Sequence, residues 1–72
     1  MVDTQSIEKL IKRSGKKKQF LADQIGCSRQ YFTAKVNNKV EFNLKEVAVL
    51  CEELGIKTQT EREEIFFCTL SH

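Results

Sequence analysis

The chain contains no proline, and its three glycines stand at positions 15, 26 and 55. Each follows a segment whose apolar residues recur at helical spacing. A helix C-terminus takes a left-handed residue there, a conformation open to glycine at little cost. These stops divide 72 residues into pieces suited to short helices. No alternating apolar–polar segment is long enough for a convincing strand. Lys39–Phe42 (KVEF) alternates but is too brief, and fits a loop anchored by Phe42.

The first helix is expected from about Thr4 to Ser14, capped by Asp3, Thr4 or Ser6, with Ile7, Leu10 and Ile11 on one face. A second runs from about Lys18 to Ile25, with Leu21, Ala22 and Ile25 inward. The third opens at Ser28, carries Phe32 and Val36 at i, i+4, and ends at Asn37-Asn38. The fourth opens at Asn43, where Asn43-Leu44-Lys45-Glu46 has the form of a capping box. Its stripe is read as Leu44, Val47, Ala48, Cys51 and Leu54. A short fifth helix spans about Thr60 to Cys68, with Thr60 as cap and acidic residues in its first turn, where the helix dipole favours them. The fold class is therefore all-α: a single domain over 1–72, a bundle of about five short helices around one core.

Net charge is only +2, but it is unevenly spread. Residues 1–40 carry nine basic and three acidic side chains, and residues 41–72 carry three and seven. A basic first half suits a polyanion, because each neutralised phosphate releases counterions. Cys27, Cys51 and Cys68 are widely spaced, and the only histidine is His72. No pair has metal-ligand spacing, so reduced thiols are expected and no metal or cofactor. No apolar run approaches a membrane span and no signal-peptide pattern is present, which leads to the expectation of a cytoplasmic protein with no membrane partner.

The stretch FLADQIGCSRQYFTAK (Phe20–Lys35) joins two helical patterns through Gly26-Cys27-Ser28. Small Ala22 allows close approach, Gly26 can take a positive φ, Cys27 can tuck beneath the turn, and Ser28 can cap the next helix. These are the requirements of a helix-turn-helix over about 18–36. With Phe32 and Val36 inward, Arg29, Gln30, Thr33 and Ala34 are the candidate base-reading residues. Arg suits guanine, Gln suits adenine, and Ala or Thr can meet a thymine methyl. Lys18 and Gln19 at the start of the preceding helix, Ser28 at the turn, and Lys35, Asn37, Asn38 and Lys39 after the recognition residues are the candidate phosphate-backbone contacts.

At these residues IGCSRQYF resembles the turn and recognition helix of the Cro/CI-type (XRE) helix-turn-helix regulators. NNKVEFNLKEVAVLCEELGI is similar to the following loop and helix in small phage members, so the likeness covers about residues 5–56. It implies a five-helix, lambda-repressor-like DNA-binding fold that binds double-stranded operator DNA, usually as a homodimer, in a phage lysogeny–lysis switch in the host bacterial cytoplasm. The size resembles Cro-type or modulator-of-repression proteins. Three positions depart from the family's pattern. Lys17 stands where a Ser or Thr cap is common, Lys35 where an apolar residue is frequent, and Phe20 at a position usually polar.

Ile65, Phe66 and Phe67 are consecutive, so they point about 100° apart and cannot all face one small core. Ile65 and one phenylalanine are expected inside. Phe66, Phe67 and Leu70 are the candidates for a dimer or partner surface. The leading function is a non-enzymatic, sequence-specific transcriptional regulator. The alternative is an antirepressor that binds the DNA-binding domain of a CI-type repressor. An enzyme is poorly supported, with no nucleophile–base pairing and no glycine-rich phosphate loop in the sequence.

Overall fold

A computed structural model describes residues 1–67. Five helices follow in order: α1 (Thr4–Ser14), α2 (Lys18–Ile25), α3 (Arg29–Val36), α4 (Leu44–Leu54) and α5 (Gln59–Phe66). No strand occurs among the described residues. Helices α1, α3 and α4 start at side-chain caps, and α1, α2 and α4 stop at glycines. Asp3 accepts from the Ser6 N–H, Ser28 from the Tyr31 N–H, and Asn43 and Glu46 form the full reciprocal capping box. Gly15, Gly26 and Gly55 all take positive φ at helix ends. Helix α5 begins earlier than its sequence suggests: Thr58, not Thr60, is the cap, accepting from the Glu61 N–H. Thr58 sits three residues before Glu61, which gives the same cap-to-acid spacing as in α4.

The core gathers one face from each helix: Ile7 and Ile11, Leu21 and Ala22, Phe32 and Val36, Val47, Leu50, Cys51 and Leu54, and Ile65 with Phe66. A radius of gyration of 11.2 Å is what one core of this chain length should give, about 11 Å. The stripe of α4 differs from its sequence reading. Leu50 is fully buried, whereas Ala48 is exposed and Leu44 is 76% exposed. The buried set 47, 50, 51, 54 keeps strict i, i+3, i+4, i+7 spacing. Ala48 falls off that phase, and Leu44, in the first turn, overhangs the groove between α4 and α5.

Two sets of polar contacts tie distant segments together. The backbone N–H of Val2 donates to Asn38 Oδ1 at 2.7 Å and Asn38 Nδ2 donates back to the Val2 carbonyl at 2.9 Å. The Thr4 hydroxyl donates to the Val36 carbonyl, and the Asp3 N–H to that of Ile65. The start of the chain is thus stitched between the end of α3 and α5. At the other side, Lys16 Nζ bonds both the carboxylate and the carbonyl of Glu53, fixing the α1–α2 loop to the end of α4. Phe42 anchors the α3–α4 loop edge-to-face against Phe32 and Phe66.

Candidate nucleic-acid interface

Helices α2 and α3 are joined by three residues. Gly26, at φ 80°, reverses the chain, and the Cys27 N–H donates to the Ala22 carbonyl at 3.0 Å. Cys27 packs against the core, and burial raises its thiol pKa, which keeps the sulfur neutral. Leu21, Ala22 and Phe32 are all fully buried between the two helices. This holds α3 at the surface, with its first turn exposed at the tip.

The eight residues of α3 form four rows of i, i+4 pairs. Phe32 and Val36 point down into the core. Gln30 and Ala34 therefore lie in the row directly opposite, with Arg29 and Thr33 on one flank and Tyr31 and Lys35 on the other. Ser28, Arg29, Gln30 and Tyr31 are exposed, while Thr33 and Ala34 are half-buried. The Thr33 hydroxyl donates to the Arg29 carbonyl at 3.0 Å.

Beside the tip of α3 lies the start of α2. Its cap position is Lys17, and no side chain caps it, whereas the N-termini of the four other helices are capped by Asp3, Ser28, Asn43 and Thr58. Its first N–H groups therefore stay free for an outside acceptor. Lys17, Lys18, Gln19 and Arg29 line one shallow depression over that end. Positive helix pole, free donors and cationic side chains coincide there, the arrangement that accepts a phosphate.

A family model described as the Cro/C1-type HTH DNA-binding domain matches residues 6–60. The chain belongs to this family. Comparison with curated proteins and with solved structures returned no match. The matched span of this Cro/C1-type domain runs from α1 into the first turn of α5 and contains the whole α2–turn–α3 unit.

Within the Cro/C1-type domain, Arg29 and Gln30 stand together at the exposed tip, next to Lys18 and Gln19. Lys18 Nζ also lies 3.1 Å from the Glu8 carboxylate, and Gln19 Nε2 donates to Asp23 at 2.9 Å. The Gln19–Asp23 contact is exposed, and the Lys18–Glu8 pair is partly buried. Asn37 and Lys39 are exposed past the end of α3. Asn38 is not free in the same way. It adopts φ 65° and spends its amide on Val2.

Lys35 is a correction. It is 4% exposed, and its ammonium is held by the Glu46 carboxylate at 2.7 Å and the Glu41 carbonyl at 3.2 Å. Its ring neighbours are Tyr31 and Phe42. At the C-terminal end of its row Lys35 is covered by the α3–α4 loop and the start of α4, so it faces protein and not solvent, while Tyr31 one turn earlier in the same row stays exposed. Phe66 is likewise corrected: it is 3% exposed and packs on Phe42, so it serves the core and no partner surface. Phe67 is 44% exposed, and Leu70 lies outside the described residues. Sequence reasoning passed over Tyr31, which is 49% exposed on the first turn of α3. Its position one residue before the buried Phe32 was the available signal. Leu44, read from its spacing as part of the α4 stripe, instead flanks with Phe67 an open groove floored by Val47 and rimmed by Gln59, Arg62 and Glu63.

Proposed function

We propose that the chain is a non-enzymatic transcriptional regulator that binds operator DNA through α3. The observation that carries this reading is the exposed tip of α3 beside the uncapped, lysine-rich start of α2. Arg29 and Gln30 read base edges in the major groove, with Thr33 and Ala34 offering methyl groups deeper along the helix. Lys17, Lys18, Gln19 and the α2 N–H groups fix register on one phosphate strand. Ser28, Asn37 and Lys39 contribute to backbone contact. The acting form is a homodimer, joined through the groove flanked by Leu44 and Phe67, since one small domain reads too few base pairs to select a site alone. Resemblance of the α3–α4 region to small phage regulators supports a place in a lysogeny–lysis switch.

The exposed, basic and polar face of α3 also supports a second reading, an antirepressor that docks on a CI-type repressor. Enrichment of a random duplex library on the purified chain at physiological salt, followed by mobility shift of the enriched duplex, separates the two. Operator binding by the chain alone favours direct regulation. A shift that needs an added repressor favours the antirepressor.

A further inference from the structure

Tyr31 has no role in the reading above, yet it is the most solvent-exposed aromatic side chain on α3 and it is held from behind. Its ring centroid lies 5.1 Å from Lys35 Nζ, the same ammonium that is fixed by Glu46, by the Glu41 carbonyl and by the Phe42 ring at 5.6 Å. The buried lysine therefore acts as a rigid post, and the tyrosine ring leans on it by a cation–π contact. Half of Tyr31 remains open to solvent.

Position on the helix decides what such a ring can touch. The row opposite the core, Gln30 and Ala34, faces the floor of a groove that receives α3. Tyr31 sits about 100° round from Gln30, on the flank that faces a groove wall, and the wall of a duplex groove is sugar and phosphate. Arg29 is also off the central row, but it is long, untethered and at the first helical position, so it can swing to the floor. Tyr31 is tethered and cannot. A phenol presents one neutral O–H donor, suited to a phosphate oxygen.

We propose that Tyr31 is a phosphate-contacting residue of the DNA interface and that Lys35 is its positioning residue. This rests on the operator-binding reading. Lys35 acts on DNA only through the tyrosine: its charge stays with Glu46, and the hydroxyl of Tyr31 donates to one backbone phosphate on the α4 side of α3. Binding of that phosphate releases no counterion on account of Tyr31, because the donor is uncharged.

The experiment uses a duplex enriched on the full chain and a series of copies in which single phosphates are replaced by neutral methylphosphonates. Affinities are read by fluorescence anisotropy for the wild type, for Tyr31→Phe and for the double variant Lys35→Met, Glu46→Gln, with thermal melts alongside. The expected result is one phosphate whose replacement weakens the wild type roughly tenfold or more, as for a hydrogen bond to a charged group, and leaves Tyr31→Phe almost unaffected. Tyr31→Phe keeps the wild-type salt slope. The double variant loses the same phosphate's effect, and adding Tyr31→Phe to it costs little more. Identical methylphosphonate profiles for the wild type and Tyr31→Phe overturn the proposal while leaving operator binding intact. A salt slope lowered by about 0.9 in the double variant makes Lys35 a direct phosphate ligand and overturns its positioning role. Failure to enrich any duplex overturns the operator-binding reading and this proposal with it. If the double variant does not fold, the Tyr31→Phe comparison still decides.

Discussion

Lys35, in the last turn of α3, places its ammonium 2.7 Å from the carboxylate of Glu46, the third residue of α4, with both side chains almost wholly inside the protein. Glu46 Oε1 accepts at the same time from the Asn43 N–H, so one carboxylate both caps α4 and anchors α3. The pitch of the exposed helix is in this way coupled to the start of the next one.

Removing one member of that pair leaves a buried charge without a partner. Lys35→Ala should cost about 3–5 kcal/mol, a large part of the stability that a domain of this size has, about 5–15 kcal/mol. The double variant Lys35→Met, Glu46→Gln should lose less than Lys35→Met alone, because no isolated carboxylate remains. Urea unfolding midpoints of the three variants check the order. A double variant as unstable as Lys35→Met would contradict it.

Asp3 gives the domain a pH dependence of definite sign. The Ser6 N–H, and then the Ser6 hydroxyl, hold its carboxyl below the ordinary carboxylate value. A depressed folded value means the contribution is complete above the unfolded value, about pH 4, and is lost as pH falls through the folded one. Asp3→Asn keeps a cap but carries no charge. The wild type should therefore lose melting temperature between about pH 4 and pH 2 faster than Asp3→Asn does. Parallel acid limbs for the two proteins would remove Asp3 from the account.

Gly26 tests the turn separately from the packing. A Cβ built there meets nothing within 4 Å, so only the backbone conformation, at φ 80°, resists a side chain. Gly26→Ala should cost about 1–2 kcal/mol, lowering the melting temperature by roughly 4–16 °C. Gly26→Asn should cost less, since asparagine enters the left-handed region more readily. Equal losses for the two would point to crowding that the structure does not contain.

The exposed pair Leu44 and Phe67 should control self-association without controlling folding. Sedimentation velocity over a range of concentrations should show a reversible dimer for the wild type and a monomer for Leu44→Glu, Phe67→Ser. Both side chains lie outside the core, so melting of the monomeric variant should stay close to the wild type at low concentration. A wild type that stays monomeric throughout would leave the groove to another partner.

The helices and turns were legible in the sequence because their signals are local. Ser28 and the Asn43–Glu46 box announce two helix starts, Asp3 is one of three neighbouring cap candidates for a third, and the three glycines announce three ends. The turn and the exposed Arg29 and Gln30 follow from the same local logic. What was not legible depends on contacts between distant residues. Lys35 reads as one more surface cation in a basic half-chain, and only the approach of α4 turns it into a buried partner of Glu46. Leu44 reads as core by its spacing, and only the limited reach of the neighbouring helices leaves it outside. The sequence establishes that Ile65, Phe66 and Phe67 cannot all be buried, but Phe42, more than twenty residues away, decides that Phe66 is the one inside.

Sequence reading by the tip of α3 is what the proposed function stands on. Its most direct test is the affinity of the full chain, at physiological salt, for an enriched duplex and for a shuffled duplex of the same composition, measured for the wild type and Arg29→Ala. The wild type should prefer the enriched duplex by a factor of about 10³ or more. Arg29→Ala should lose roughly 1–3 kcal/mol on that duplex while binding the shuffled one almost as before. Equal affinity of the wild type for both duplexes, or equal losses on both for Arg29→Ala, would contradict it.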